Sequence, residues 1–281
     1  MKIITSVSDM QQWSAAIRAG GETISFVPTM GFLHQGHLSL LEEGRKRGDK
    51  LVLSIFVNPT QFGQGEDFED YPRDLQQDSQ LAEQAGVDVI FAPEAKGMYP
   101  SGYATYVDVE GITNTLCGAS RPGHFRGVCT VVTKLFHIVQ PHNAIFGNKD
   151  FQQLAVIRRM TLDLNLPVEV IGMPIFREDD GLAMSSRNVY LNDAQRRQAL
   201  VLSQSIQRAR EMVSAGETEC AVIIRELRGV IEQQPDARID YIQICHQLSL
   251  EDQVNVDTNS VLLLAVFVGQ PRLIDNGYLL A

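Results

Sequence analysis

Residues 24–37 read ISFVPTMGFLHQGH, and the fold turns on how they are read. Ile24–Pro28 is a short apolar strand, a Gly/His turn follows it, and a helix is expected from about His37. Further along, Leu51–Val57 (LVLSIFV) is an unbroken apolar run of the kind found in strands buried on both faces. The spacing predicts a helix around Leu75–Ala85, then strands at Val87–Phe91 and Tyr103–Val109. Val128, Val131, Val132, Leu135, Phe136 and Val139 recur with the period of an amphipathic helix. A strand at Ala144–Phe146, a helix from about Lys149 to Leu164 and a strand at Val168–Ile171 close the series. Strands alternating with helices imply an α/β fold, a Rossmann-like parallel sheet in a nucleotide-binding domain.

The last third changes character. Asn192–Ala215 and Thr218–Gln233 read as surface helices, and Ile239–His246 and Ser260–Val268 as strands of a separate small sheet. This gives a smaller α+β C-terminal domain, with residues 1–175 as the first domain and 176–281 as the second.

In a parallel sheet, ligands bind at the carboxyl ends of the strands. Four of the expected strand ends carry polar clusters: Thr29–His37, Asn58–Phe62, Gly147–Asp150 and a loop holding Met184, Ser185, Ser186 and Arg187. His34 and His37 flank a glycine at a helix start, where free backbone N–H groups and the helix dipole favour phosphate. Two imidazoles there can donate to phosphate oxygens during displacement. Lys149 is a cation at a helix start, unfavourable for the dipole and therefore better explained by a ligand. Asp150 suits sugar hydroxyls, Gln153 lies on the same helix face as Lys149, and Arg187 suits bidentate phosphate recognition. A second basic cluster, Arg121–Arg126, precedes the long helix and reads equally well as structural. There is no P-loop motif and no G-x-G-x-x-G, so P-loop kinases and typical dinucleotide folds lose support.

The chain has 281 residues, 24 Lys+Arg and 34 Asp+Glu, a net charge of −10. With no basic domain or tail, a nucleic-acid partner is disfavoured. The longest apolar run, Val261–Val268, is far short of the roughly 20 residues that span a membrane, and the start of the chain shows no signal-peptide pattern. Four cysteines without a Cys-x-x-Cys pair suggest neither a disulfide framework nor zinc. A reduced, cytoplasmic protein without membrane contact is expected.

His-x-Gly-His with a later basic Ser-rich loop resembles the HIGH-motif nucleotidyltransferase superfamily. The wider set VPTMGFLHQGH, SIFVNPTQF, DYPRDL, ASRPGHFRGV, KDFQQLAVIRRM, DGLAMSSRN and RLIDN is similar to the pantothenate synthetase family over nearly the whole chain. The resemblance implies ATP-dependent ligation of (R)-pantoate and β-alanine to pantothenate through a pantoyl-adenylate, with AMP and pyrophosphate released. It implies Met30, Gly31, Phe32, Leu33, His34, Gln35, Gly36 and His37 around ATP, His37 as proton donor, and His34 assisting at the phosphates. It also implies Gly147, Asn148, Lys149 and Asp150 at the nucleotide, with Lys149 at the reacting phosphate. Met184, Ser185, Ser186 and Arg187 would close on the triphosphate, and the Phe176 backbone would meet adenine. Gln61 and Gln153 would hold pantoate, with Gln61 also near β-alanine. Residues 1–175 would then be the ATP- and pantoate-binding catalytic domain, and residues 176–281 a domain closing over the active site. Mg²⁺ and a homodimer are implied too. Asp78 matches a position near the metal, but Gln77 stands where an acidic residue is common, so no metal ligand is assigned. Asn148 also departs from the usual Glu or Gln at its position.

A nucleotidyltransferase that leaves the nucleotide on its product would use the same histidines without releasing AMP. An aminoacyl-tRNA synthetase fragment is opposed by the acidic charge. A non-catalytic nucleotide binder is opposed by the joint presence of His34, His37, Lys149 and Arg187. Finally, the acidic, glycine-containing loop Gly63–Asp70 after Gln61 is expected to be a mobile wall of the pantoate pocket, poorly ordered without ligand, with Phe68 as its one apolar anchor.

Overall fold

A computed structural model of the chain describes residues 1–280. Its elements are β1 (Lys2–Ile4), α1 (Val7–Ala19), β2 (Ile24–Thr29), α2 (Gln35–Arg47), β3 (Lys50–Ile55), α3 (Leu75–Gln84), β4 (Val89–Phe91), α4 (Ala95–Met98), α5 (Leu116–Ser120), α6 (His124–Val139), β5 (Asn143–Gly147), α7 (Phe151–Asp163), β6 (Glu169–Met173), α8 (Asp193–Ala199), α9 (Val201–Ser214), α10 (Cys220–Ile231), β7 (Ala237–His246), β8 (Ser260–Val268) and β9 (Arg272–Tyr278). They form two packing units. One holds residues 1–110, 121–148 and 153–174, the other 111–120, 149–152 and 175–281. The short stretches 111–120 and 149–152 therefore pack with the C-terminal part of the chain, across the simple division at 175/176. Gln152 explains much of this: it accepts from the Cys117 N–H at 2.9 Å and donates to the carbonyls of Ile112 and Thr115, each at 2.8 Å.

The first unit is a six-stranded sheet in the order β1-β4-β3-β2-β5-β6, parallel throughout. Its central strands β2 and β3 are buried on both faces, which is why they read as continuous apolar runs. The chain winds outward one way from β2 and the other way from β5, so the order reverses between these two strands. There β2 and β5 pair only at Ser25–Asn143 and Phe26–Ala144. Pro28, which has no N–H to donate, lies beyond the last of these pairs. The strands thus part toward their carboxyl ends, where open α/β sheets bind ligands.

The second unit is a three-stranded antiparallel sheet, β7-β8-β9, whose core includes Ile206, Ile223, Leu227, Leu262 and Val266.

Several expectations need correction. Tyr103–Val109 is not a strand. Its β-forming side chains lie along α6 instead: the Val107 N–H donates to Thr130 Oγ1 at 3.0 Å, Arg126 stacks on Tyr106, and Lys134 lies over Tyr103. The helix expected from His37 starts at Gln35, with His34 in the extended conformation of an N-cap. The helix expected from Lys149 starts at Phe151, after a 3₁₀ turn over Asn148–Asp150. The helix expected over 192–215 is two, α8 and α9, joined at Leu200. Strands β1 and β9 and helix α1 have no counterpart among the expected elements.

Candidate active site

The Gly/His turn connects β2 to α2 on the first unit. The reversal is made by Gly31 (φ 84°) and Phe32 (φ 52°), while Gly36 lies inside the first turn of α2. At Gly31 a side chain would also lack room: a Cβ would meet Asp78 Oδ2 at 2.8 Å and Ile55 Cγ2 at 2.9 Å. His34 and His37 stack, with ring centroids 4.0 Å apart and planes 28° from parallel. The His34 N–H donates to His37 Nδ1 at 3.3 Å. This bond assigns the proton of the neutral His37 ring to Nε2, so the ring keeps one N–H donor at the head of a helix whose dipole favours anions.

Gln61 follows β3, in a 3₁₀ turn over Pro59–Gln61 capped by the Asn58 side chain. Its orientation is set by a chain of hydrogen bonds. The Tyr99 hydroxyl donates to Asn58 Oδ1 at 2.8 Å, and burial pushes this phenol up to about 12, so it remains a donor. Asn58 Nδ2 then donates to Gln61 Oε1 at 3.1 Å and to the Gly127 carbonyl at 3.2 Å. With Oε1 engaged as an acceptor, Gln61 Nε2 is the donor end of the amide. One of its hydrogens reaches Met30 Sδ at 3.4 Å, a weak acceptor. The Gln61 carbonyl is bonded to His124 Nδ1 at 2.8 Å and receives Arg121 Nη2 at 3.3 Å. Helix α6 crosses so close beneath this turn that a Cβ on Gly127 would overlap the Thr60 carbonyl oxygen and meet Gln61 Cα at 2.7 Å. The structure therefore brings Met30 and Gln61 together, and Gly147 ends β5, the strand beside β2.

The loop Gly63–Asp70, expected to be a mobile wall, carries contacts at Glu66 and Phe68. Arg121 grips Glu66 with two bonds, Nε to Oε1 at 2.7 Å and Nη2 to Oε2 at 2.5 Å. Phe68 packs edge-on against Phe62, with centroids 5.4 Å apart, and Arg73 lies over Phe68. Burial alone would raise the Glu66 carboxyl, but the Arg121 bonds and charge hold it below the ordinary carboxylate range.

Asp78 is buried on α3. Its Oδ2 accepts from the Phe32 N–H at 2.8 Å and its Oδ1 from the Leu33 N–H at 2.7 Å. Burial raises this carboxyl above its ordinary range, against the two backbone bonds that favour the charged form. As a resident metal site the donor set does not fit. Each Asp78 oxygen already accepts one backbone N–H of the turn, and among the described residues no group of three or more His, Cys, Asp or Glu could hold an ion.

On the second unit, Lys149, Ser185 and Asp275 line one narrow cleft. The Lys149 carbonyl accepts from Asn276 Nδ2 at 2.9 Å, and its ammonium stands 3.9 Å from Asp150. Met184–Arg187 leads into a 3₁₀ turn capped by Ser185 Oγ, which accepts from the Arg187 N–H at 3.3 Å. Ser186 is buried. The Phe176 carbonyl accepts from the Met184 N–H at 3.0 Å, so the two segments form one hairpin. Arg177 makes a two-bond ion pair with the buried Asp275, at 2.7 and 2.9 Å, and Arg196 ties Glu178 to Asp180. Gln153 is half-buried near the start of α7, and Asn148 opens the preceding turn.

Of the supporting residues, Asn58, His124 and Asp275 lie within the quoted motifs without a role being read for them, and Tyr99 lies outside them. A polar asparagine directly after a buried strand is a visible signal for the first. Arg121 and His124 stand in a basic cluster whose partners the sequence does not reveal.

The chain is similar to known proteins over nearly its whole length. The family model described as pantoate-beta-alanine ligase matches residues 2–278. A pantothenate synthetase of Syntrophotalea carbinolica is 59% identical over 280 residues, covering 100% of this chain and 99% of the relative. The crystal structure of pantothenate synthetase from Thermus thermophilus superposes with a TM-score of 0.95 at 45% identity, covering all of both chains. A pantoate-beta-alanine ligase from Francisella tularensis, complexed with beta-gamma ATP and beta-alanine, superposes with a TM-score of 0.82 at 32% identity, covering 99% of this chain and 98% of the other.

Proposed function

The chain belongs to the pantoate-β-alanine ligase family, and from that premise we propose that it works in two steps through a pantoyl-adenylate. The enzyme joins pantoate and β-alanine into pantothenate. In the proposed first step, a pantoate carboxylate oxygen attacks the α-phosphorus of ATP and pyrophosphate leaves. In the second, the neutral amine of β-alanine attacks the acyl carbon, AMP leaves, and the amine loses a proton.

The observation that carries this reading is the His34–His37 stack at the head of α2, with His37 Nδ1 occupied by a backbone N–H. A neutral His37 ring then carries its proton on Nε2, the atom proposed to donate to phosphate oxygens where negative charge accumulates. A carboxylate is a weak nucleophile that ATP repels, so cationic groups and in-line positioning do most of what the first step needs. Lys149 and Arg187 are the proposed cations for the phosphates, with Met184, Ser185 and Ser186 closing on them. Gly147, Asn148 and Asp150 are placed at the nucleotide and the Phe176 backbone at adenine. Gln61, with its amide nitrogen as a donor, is suited to the pantoate carboxylate, and Gln153 to the rest of pantoate. The ATP and β-alanine carried by the Francisella relative support the same substrates for this chain.

Mg²⁺ enters this proposal as the substrate complex MgATP, held by phosphate oxygens and water. A homodimeric state and a cytoplasmic location, both expected from the resemblance, belong to the same proposal. The test is exchange of labelled pyrophosphate into ATP. It should require pantoate and proceed without β-alanine. Exchange that needs β-alanine contradicts the two-step order.

A further inference from the structure

We propose that Asp78 is a positioning residue for the nucleotide turn, shaping it through the Phe32 and Leu33 N–H groups so that His34 and His37 meet the phosphates, and that it is not a metal ligand. The inference rests on the adenylate reading above.

The chain leaves β2 at Thr29 and must enter α2 at Gln35, so it reverses within five residues. It does so through two successive left-handed residues, Gly31 and Phe32. Glycine takes that conformation freely, whereas a side-chain-bearing residue is disfavoured there. Something must hold Phe32 in place, and two backbone bonds do so. The Phe32 and Leu33 N–H groups both point at one carboxylate, at 2.8 and 2.7 Å. Asp78 is 1% exposed, so water cannot replace these bonds, and charge-assisted bonds of this length are the strong kind. The fit around Gly31 is equally close, with Asp78 Oδ2 filling the space a Cβ would need.

The geometry also fixes the direction of influence. Asp78 sits in the first turn of α3, whose N-cap Asp74 accepts from the Gln77 N–H at 2.9 Å. The carboxylate is thus carried by an element separate from the turn it holds. Leu33 is itself buried in the core beside Leu40 and Leu41, which anchors the far side of the turn immediately before His34. Displacing Asp78 would move the histidines without removing any group that touches substrate.

The test is Asp78→Asn, which keeps the shape but turns one acceptor into a donor facing an N–H. Circular dichroism first establishes that the variant is folded. Pantoate-dependent ATP–pyrophosphate exchange should then slow by about a hundredfold, the scale of a small misplacement of reacting groups. The KM values for ATP and pantoate should stay near wild type, and so should the Mg²⁺ concentration giving half-maximal rate at saturating ATP. Preformed pantoyl-adenylate should react with β-alanine far less impaired. A Mg²⁺ requirement raised about tenfold or more, with the rate recovered at high Mg²⁺, marks a metal ligand and overturns the proposal. Wild-type exchange, or equal loss in both half-reactions, overturns it as well. Wild-type enzyme that shows no pantoate-dependent exchange sinks the adenylate reading itself, a separate outcome. A second measurement needs no variant: in the free wild-type enzyme treated with EDTA, the Phe32 and Leu33 amides should exchange slowly with deuterium. Unprotected amides there refute the hold of Asp78 on the turn.

Discussion

Replacing Gln61 with glutamate changes one atom in the proposed pantoate pocket. Asn58 Nδ2 still has an oxygen to bond, and His124 still engages the backbone carbonyl, so the side chain should stay where it is. The amide NH₂ becomes an oxygen. A hydrogen bond to a charged group, worth about 1.5–3 kcal/mol, is lost. In its place stands a second anion, and two charges about 4 Å apart repel by about 4 kcal/mol at an effective dielectric near 20. The new carboxyl can escape by taking a proton. With an ordinary pKa near 4.3, that costs about 5 kcal/mol at pH 8 but only about 2.3 kcal/mol at pH 6. Repulsion is therefore cheaper than protonation at pH 8, and protonation is cheaper at pH 6. The kcat/KM for pantoate in the ATP–pyrophosphate exchange assay should fall more than about a hundredfold at pH 8, since each 1.36 kcal/mol is tenfold. Relative to wild type, it should recover by about tenfold between pH 8 and pH 6. The KM for ATP should not change. A pantoate KM within twofold of wild type at pH 8, with no recovery in acid, would refute the donor role of Gln61.

His37→Ala and Lys149→Ala should each slow adenylate formation about 10²–10³-fold, the usual effect of losing one preorganised donor, while preformed pantoyl-adenylate reacts with β-alanine much less impaired; rapid-quench measurement of both half-reactions checks this, and near-normal adenylation by a folded variant removes the residue from the phosphate site. Because Arg121 holds the Glu66 carboxyl below its ordinary range despite burial, the contribution of the latch is present above the unfolded pKa near 4.3 and is lost only as pH falls through the lower folded value. Hydrogen exchange in residues 63–70 should therefore stay slow from neutral pH down to about pH 5 and rise only in stronger acid, whereas Glu66→Gln should show faster exchange already at pH 7. Phe68→Ala, which removes the packing on Phe62, should release free pantoate and AMP when β-alanine is scarce, because water then reaches the acyl-adenylate; ATP use still matched to pantothenate formed would show that the loop does not guard the intermediate.

The parts of the fold legible in the sequence are those whose burial imposes a period. Strands β2 and β3 are covered on both faces, so their apolar runs are continuous, and α6, though buried round most of its circumference, keeps its larger apolar side chains at helical spacing. Strand β9 is hidden because its charges are satisfied by distant partners: Arg272 bonds Asp240 at 2.7 Å, and Asp275 bonds Arg177. Strand β1 has three residues, too few to establish an alternation. Tyr103–Val109 misleads in the opposite sense, since strand-forming side chains say nothing about whether a sheet edge is available to pair with. In the site, His34, His37 and Lys149 are visible because each departs from what its local structure alone would choose. The partners that orient Gln61 and the turn before His34 are not. Tyr99 and Asn58 are 41 positions apart, His124 and Gln61 are 63 apart, and Asp78 bonds across 46 positions to Phe32. Such pairs become neighbours only through the sheet, so no local spacing announces them.

The central claim is that pantoate is activated as an acyl-adenylate, and the fate of its carboxylate oxygen tests it directly. Pantoate labelled with ¹⁸O in the carboxylate is converted with ATP and β-alanine, and the AMP and pantothenate are analysed by mass spectrometry. If the carboxylate attacks the α-phosphorus, one ¹⁸O crosses into the phosphate of AMP for each pantothenate made, and the new amide carbonyl keeps the other. If both labelled atoms are absent from AMP, no bond ever joined pantoate to that phosphorus, and the adenylate mechanism is wrong.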